Sequence, residues 1–215
     1  MRRAQMSAIL CLALVSSTVA VRGAQFPSPA LDPKVTGEQT TVLAGGCFWG
    51  VEAVFEALTG VKDVVSGYAG GSKSSANYRV VTSGTTGHAE SVRITYDPAK
   101  ISYGQLLKVF FAVAHDPTQL NRQGPDEGPQ YRSAIFFSGP EQKSVAEAYI
   151  AQLNEAKTFS RRIVTTVVTL DGFYPAESEH QDFVRRNPSN AYVLAHDRPK
   201  MELLEKDFPD LLKRK

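Results

Sequence analysis

The chain has 215 residues, of which 42% are hydrophobic and 21% are charged, and this composition is typical of a globular protein rather than a disordered one. Its formal net charge is +2, but three basic residues and no acidic residue lie in the first 24 positions. The remaining 21 basic and 22 acidic residues give no electrostatic reason to expect nucleic-acid binding.

Residues 1–24 have the pattern of a secretory signal peptide. Arg2 and Arg3 form a basic start, a mostly apolar and uncharged stretch follows from Met6 to Val21, and Ala24 offers a small-residue cleavage position. A membrane anchor is the alternative, but the apolar stretch is shorter than the roughly 20 residues that span a bilayer. We therefore expect an exported protein, with the bacterial periplasm as its destination.

The domain begins after a short leader. Residues 25–38 are rich in proline and polar groups, which favours a flexible segment, and residues 39–215 show no repeat or linker and are expected to form one domain. Gln39–Ala44 is a β-prone run. Beyond Cys47 the apolar residues recur every three or four positions up to Leu58, so a helix is expected to begin near Cys47.

Further strands and helices follow without strict alternation. Strands are predicted at Val61–Tyr68, Ser91–Tyr96, Arg132–Ser138 and Ile163–Leu170. Helices are predicted after the capping pair Ser102 and Gln105 and at Pro140–Ala156, Glu179–Arg186 and Lys200–Lys213, the last interrupted by Pro209. This order favours an α+β fold with helices packed on a sheet.

Cys47 is the first candidate functional residue. Removal of the signal peptide takes Cys11 away and leaves a single thiol in an exported protein. At the start of a helix, free N–H groups and the helix dipole are expected to lower the pKa of that thiol and make it nucleophilic. Gly46 would let the backbone approach a ligand, with Phe48 and Trp49 as an aromatic wall. The alternative is an inert cysteine buried in the core.

Four further polar residues are candidates for the site, three of them near glycines or at strand starts and the fourth, Tyr78, twelve residues before Glu90. They are Tyr78, Glu90, Asp126 and Tyr131. Glu90 opens the strand Ser91–Tyr96, a position from which a carboxyl can project into a pocket. Taken singly, each residue also has an ordinary explanation as a surface acid, a packing residue or a turn former. Their spacing alone does not unite them in one site.

A series of motifs between about Thr41 and Asn187 resembles the family of A-type methionine sulfoxide reductases. The first is GCFWG at 46–50, which matches the active-site signature of the family. The others, in the family's order, are SGYAGG at 66–71, YR at 78–79, GHAE at 87–90, YDP at 96–98, NRQG at 121–124, QYRS at 130–133, FYPAE at 173–177 and HQ at 180–181.

The resemblance implies a reaction and a set of roles. Cys47 matches the catalytic nucleophile, Phe48 and Trp49 match the pocket for the S-methyl group, and Glu90 matches the acid that protonates the sulfoxide oxygen. The implied enzyme reduces methionine-S-sulfoxide, free or in proteins, and leaves a sulfenic acid on Cys47. Glu90 must then be protonated near neutral pH, which requires a pKa raised by burial.

The remaining site residues and the fold follow from the same resemblance. Tyr78 and Tyr131 match hydroxyls that hydrogen-bond the sulfoxide oxygen, and Asp126 matches a supporting polar residue. The implied fold is a two-layer arrangement of helices around a mixed sheet, a ferredoxin-like plait.

Many members of the family carry further cysteines near the C-terminus, whereas residues 187–215 contain none. The chain therefore resembles a subtype with one catalytic cysteine. We expect an external thiol, from thioredoxin, glutaredoxin or glutathione, to regenerate Cys47 in a monomer that repairs oxidised exported proteins. No bound cofactor is expected, and the widely spaced histidines give no reason to expect a metal site.

Two alternatives of other classes remain open. A cysteine hydrolase or acyltransferase would use Cys47 with His88 or His180 as the base, a weak pattern because most proteins contain such residues. A binding module would capture methionine sulfoxide without converting it.

Overall fold

The structure, a computed structural model, describes residues 26–214, and the predicted signal peptide lies outside the described residues. The strands of the main sheet are β1 Gln39–Gly45, β2 Val61–Ala69, β3 Ala89–Tyr96, β6 Ser133–Phe137, β7 Thr166–Thr169 and β8 Phe173–Pro175. A separate hairpin consists of β4 Arg122–Gln123 and β5 Asp126–Glu127. The sheet order is β7–β6–β1–β3–β2–β8, in which only β6 and β7 run parallel.

The described residues form six α-helices. They are α1 Phe48–Glu56, α2 Tyr78–Val81, α3 Tyr103–Val109, α4 Pro140–Glu155, α5 Phe183–Arg186 and α6 Arg198–Asp207. Of these, α1 and α4 make the main contacts with this sheet. A π-helical turn at Phe110–Ala114 extends α3, and another at Val193–Asp197 precedes α6. Within the described part of the chain, no helix combines the length and the apolar character that crossing a membrane requires.

The central elements form the expected plait. In chain order they are β1, α1, β2, β3, α3 and β6, and the four strands lie side by side in the order β6–β1–β3–β2. This is the β-α-β-β-α-β arrangement of a ferredoxin-like fold. The predicted α+β class, with helices on a mixed sheet, is confirmed.

Apolar side chains of the central strands and of α1 form the core beneath the site. Leu43 on β1, Ile94 on β3 and Ile135 on β6 are completely buried, as are Val54 and Phe55 on α1. Complete burial of each such side chain contributes about 1.5–3 kcal/mol to stability. The junction between β1 and α1 is therefore held by packing on both of its sides.

Several predicted boundaries are wrong. Only Phe183–Arg186 of the predicted helix Glu179–Arg186 is helical, because Asp182 adopts a left-handed φ of +52° just before it. The last predicted helix starts earlier, at Arg198, but its predicted interruption by Pro209 is confirmed, because α6 ends at Asp207 and a separate helical turn begins at Pro209. The strand predicted at Ile163–Leu170 is limited to β7, which pairs with β6.

The segment 26–38 has no helix or strand, yet it is fastened to the domain, which differs from the flexible leader expected. Phe26 is buried in the main core. The Tyr149 hydroxyl on α4 donates a hydrogen bond to the Pro27 carbonyl at 2.5 Å. Asp32 accepts a hydrogen bond from the first turn of α3 at 2.9 Å. Burial of one aromatic ring and these hydrogen bonds outweigh the polar composition on which the expectation of flexibility depended.

Candidate active site

Cys47 lies where β1 ends and α1 begins, as predicted. It is the N-cap residue of α1, with φ −53° and ψ 123°, and its side chain is 8% exposed. Gly46 has a φ of +92°, and a Cβ there would lie 2.5 Å from the Gln123 side chain. The glycine therefore permits the turn that carries Cys47. It is not among the residues that line the cavity described below, and its substrate-binding role stays a prediction.

A cavity of about 170 Å³ opens at the Cys47 sulfur. Its lining residues come from four helices and turns and two strands that are far apart in the chain. They are Cys47, Phe48, Trp49, Tyr78, Glu90, Asp126, Tyr131 and Tyr192. The first seven are all of the predicted site residues except Gly46, and Tyr192 was not predicted. The fold thus brings together residues that spacing alone could not unite.

Glu90 projects from β3 into this cavity and is 2% exposed. The Phe48 backbone N–H donates a hydrogen bond to Glu90 Oε2 at 3.1 Å. Burial raises the pKa of Glu90 to about 8, and the charge of Asp126 adds to this effect while the Phe48 N–H opposes it. The carboxyl group is therefore protonated at neutral pH and available as a proton donor.

The Cys47 thiol differs from the prediction. Burial raises its pKa well above the ordinary value of 9.0, and the negative charge of Glu90 raises it further. The Trp49 backbone N–H hydrogen-bonds the sulfur and lowers the pKa, but it does not offset the loss of hydration. The predicted lowering by the helix N-terminus is therefore wrong for the protein without substrate, in which the thiol is neutral.

Three tyrosine side chains also line the cavity. Burial is the main cause that raises the pKa of Tyr78, Tyr131 and Tyr192, so each hydroxyl stays protonated as a donor. The Tyr192 hydroxyl donates a short hydrogen bond to Asp126 Oδ2. Asp126 is thus oriented by a residue 66 positions away, just before the π-helical turn at Val193–Asp197.

The aromatic wall is fixed by the segment around α5. Trp49 stacks on Phe183 with ring centroids 3.7 Å apart and an interplanar angle of 9°. The indole Nε1–H donates to His180 Nδ1 at 3.3 Å, and the His180 ring lies 4.2 Å from the Tyr78 ring. His180 therefore contacts both Trp49 and Tyr78, two of the side chains that line the cavity.

Glu177 positions Tyr78 and was not predicted to do so. Its carboxylate accepts hydrogen bonds from the Tyr78 backbone N–H at 2.9 Å and from the Tyr68 hydroxyl at 2.8 Å. Glu177 and His180 lie within motifs that were recognised in the sequence. Their partners, however, are about 100 residues or more away, and only the fold identifies them.

Sequence comparison relates the chain to characterised proteins over most of its length. A model of the peptide methionine sulfoxide reductase family matches residues 39–211. The chain is 54% identical over 209 residues to peptide methionine sulfoxide reductase MsrA 2 of Synechocystis sp., covering 95% of this chain and 98% of that protein. It is 55% identical over 179 residues to MsrA 2 of Mesorhizobium japonicum, covering 83% and 92%.

Comparison with solved structures points to the same family as the sequence comparison. Methionine sulfoxide reductase A of Corynebacterium diphtheriae superposes with a TM-score of 0.63 at 34% identity, covering 79% of this chain and 86% of that chain. Mxr1 from Saccharomyces cerevisiae in its reduced form gives a TM-score of 0.63 at 32% identity, covering 71% and 87%. The chain belongs to the peptide methionine sulfoxide reductase family.

Proposed function

We propose that this protein reduces methionine sulfoxide to methionine, with Cys47 as the nucleophile and Glu90 as the acid. One observation carries the proposal: a thiol and a protonated, buried carboxyl group share a cavity of about 170 Å³ with tyrosine hydroxyls. Family membership supports the reaction, because the related proteins bear the name of this activity.

The cavity suits a methyl sulfoxide group. Phe48 and Trp49 offer an apolar surface to the methyl group, and Tyr78, Tyr131 and Glu90 add two hydroxyls and a carboxyl group to the cavity lining. These three groups are protonated and can donate hydrogen bonds to the sulfoxide oxygen. A methionine thioether has no such oxygen, so the product binds less strongly than the substrate.

The chemical step transfers oxygen from the substrate sulfur to the protein. Donation of the Glu90 proton makes the sulfoxide sulfur electrophilic, and the Cys47 sulfur attacks it. The sulfur–oxygen bond of the substrate breaks, methionine leaves, and Cys47 becomes a sulfenic acid. In sum, the protonated oxygen moves as a hydroxyl group from the substrate sulfur to the Cys47 sulfur, and the proton lost by the Cys47 thiol restores Glu90. The thiol is oxidised by two electrons and the sulfoxide is reduced by two.

Activation of Cys47 depends on the protonation of Glu90. A carboxylate at Glu90 raises the pKa of the thiol, so a thiolate and a charged Glu90 disfavour each other. A protonated Glu90 removes this repulsion and leaves the Trp49 N–H as a donor to the sulfur. The same proton therefore activates the substrate and permits the thiolate.

Regeneration requires a thiol from outside the chain. Cys11 and Cys47 are the two cysteines of the sequence, and residues 187–215 contain none that could resolve the sulfenic acid. We propose that thioredoxin, glutaredoxin or glutathione attacks the Cys47 sulfenic acid, releases water and forms a mixed disulfide, which a second thiol reduces.

Export is part of the same proposal. The basic start and apolar stretch of residues 1–24 support cleavage of a signal peptide and action on oxidised proteins in the periplasm. Mass spectrometry of the N-terminus after expression in a bacterial host tests this point. A mature N-terminus near residue 25 in the periplasmic fraction is expected, and an intact Met1 in the cytoplasm would contradict it.

The geometry does not favour a cysteine hydrolase. His180 Nδ1 accepts the hydrogen bond from Trp49, and His88 Nε2 lies 2.9 Å from the Ser72 carbonyl. Neither histidine lines the cavity or hydrogen-bonds Cys47 in the described residues. A base within hydrogen-bonding reach of the nucleophile is what such an enzyme needs.

Single-turnover chemistry tests the proposed function. The pre-reduced protein is mixed with an excess of a blocked methionine-S-sulfoxide peptide in the absence of any other thiol. One equivalent of methionine peptide is expected per protein, and none from the Cys47→Ser variant. Binding without methionine formation would instead identify a binding module, and cleavage of the peptide would identify a hydrolase.

A further inference from the structure

An ion pair lies against the first turn of α1, outside the cavity. A Cβ placed on Gly50 would lie 2.1 Å from Asp197 Oδ1 and 2.8 Å from Lys200 Nζ. Gly50 is three residues after Cys47, the N-cap residue, so the two lie on the same face of the helix. The absence of a side chain at Gly50 is therefore what allows both charged groups to approach the helix that carries the nucleophile.

The pair is enclosed to an unusual degree. Asp197 is completely buried, the Lys200 side chain is 17% exposed, and their atoms Oδ1 and Nζ are 3.4 Å apart. The second carboxyl oxygen, Oδ2, has no hydrogen-bond partner among the described residues. Buried ion pairs often add little to stability, because desolvation offsets their attraction. Stability alone is thus a weak reason for this arrangement.

Both members of the pair act on the Cys47 sulfur. The charge of Asp197 raises the pKa of the thiol, whereas the charge of Lys200 lowers it. Lys200 also lowers the pKa of His115, whose ring lies 3.2 Å from a Cβ placed on Gly45. The Lys200 ammonium group therefore acts on Cys47, where α1 begins, and on His115, which lies beside the end of β1.

Other titratable groups face the same sulfur from the elements around it. They are Tyr78, Glu90, Asp126, Tyr131 and Tyr192 around the cavity and His115 behind β1. The tyrosines, Glu90 and His115 are neutral near pH 7, because burial shifts the pKa of each toward its uncharged form. Among the described groups that act on Cys47 directly, Lys200 supplies the positive charge.

We propose that Lys200, held against Gly50 by Asp197, is an electrostatic positioning residue that stabilises the Cys47 thiolate. Asp197 opposes this effect, in addition to the burial that already keeps the thiol protonated in the protein without substrate. The inference deepens the proposed function, since it concerns the residue assigned there as the nucleophile. Substitutions of Lys200 and Asp197 are expected to change the reactivity of Cys47 in opposite directions. The loss of a purely structural ion pair would change it in the same direction for both substitutions.

Alkylation of Cys47 by iodoacetamide between pH 6 and pH 10 tests the proposal on the full-length protein. The reagent is uncharged and reacts with the thiolate, and mass spectrometry of the peptide containing Cys47 separates it from Cys11. At pH 8, Lys200→Met is expected to slow alkylation several-fold, because a higher pKa of the thiol leaves less thiolate to react. Asp197→Asn is expected to accelerate it, and Lys200→Arg to remain near the wild-type rate.

The control is Lys206→Met, which removes an exposed lysine from the same helix. Equal rates for Lys200→Met and Lys206→Met would overturn the proposal, as would a change of the same sign in Lys200→Met and Asp197→Asn. If Asp197→Asn does not fold, the contrast between Lys200→Met and Lys200→Arg decides the matter. The readout needs no sulfoxide, so it succeeds or fails independently of reductase activity.

Discussion

Two buried glutamates, Glu90 on β3 and Glu52 on α1, have carboxyl groups whose pKa is raised to the same extent. Glu90 is 2% exposed and Glu52 is 1% exposed, and burial raises the pKa of each to about 8. Glu90 opens on the cavity beside Cys47 and accepts a hydrogen bond from Phe48. Glu52 does not line that cavity, and its Oε2 atom has no hydrogen-bond partner in the described residues.

The contrast shows that a raised carboxyl pKa does not by itself identify a catalytic acid. For Glu52, the charges of Glu56 and Asp182 add to burial, and the three residues form an acidic cluster between α1 and α5. For Glu90, the same shift occurs within reach of a nucleophile and a space for substrate. Access to the reacting atoms assigns the role, and the shifted pKa only makes the role possible.

The largest expected effect separates the two glutamates by activity. Glu90→Gln removes the proton donor and is expected to lower kcat/KM at pH 7 by about 10²–10⁴-fold. Glu52→Gln is the matched control, with the same chemical change in a residue equally buried, and is expected to stay within a few fold of the wild type. Reduction of a methionine-S-sulfoxide peptide with excess dithiothreitol measures both, and equal losses would contradict the assignment.

The second effect is on the protonation of Glu90. Infrared difference spectra between the wild type and Glu90→Gln should show a protonated carboxyl band that disappears as the pH rises through about 8. The negative charge of Asp126 raises this pKa, so Asp126→Asn is expected to move the titration to lower pH. A titration that moves to higher pH, or not at all, would show that the two carboxyl groups are not coupled as described.

The third effect concerns the pH dependence of stability. Between the ordinary glutamate pKa of 4.5 and about 8, the folded protein keeps a proton on Glu52 that the unfolded chain has released. The free energy of unfolding is therefore expected to fall as the pH rises through this window. Urea unfolding at pH 5 and pH 8 should show a smaller fall in Glu52→Gln than in the wild type. Identical falls would mean that Glu52 ionises normally in the folded state.

The smallest effect distinguishes residues that contact substrate from those that orient them. Tyr192→Phe removes the hydroxyl that donates to Asp126 while keeping the ring. Loss of one such hydrogen bond costs about 1 kcal/mol, or about fivefold in kcat/KM. The same peptide assay measures it. A loss as large as that of Glu90→Gln would place Tyr192 in direct contact with the reacting groups.

Much of the fold was predictable because its long elements have regular patterns. The strand β3, the helix α4 and the capping pair Ser102 and Gln105 were recognised from local sequence, and the structure contains all three. The strand β8 was missed, since its three residues form a strand only by pairing with β2. The hairpin of β4 and β5 is shorter still and has no apolar alternation.

The site was predictable where motifs mark it and not elsewhere. Cys47 and Glu90 lie in recognisable motifs, and both line the cavity. Tyr192 belongs to none of the recognised motifs, and its position depends on the packing of the C-terminal segment. The direction of the Cys47 pKa was also mispredicted, because burial of the sulfur is a property of the whole fold.

The most direct test of the central claim follows the oxygen from the substrate to Cys47. The pre-reduced protein is given each epimer of a methionine sulfoxide peptide with dimedone present and no other thiol, and the methionine formed is compared with the dimedone adduct on Cys47. One adduct per methionine, from the S epimer alone, is the predicted result. Methionine formation with Cys47 still present as a free thiol would contradict the account.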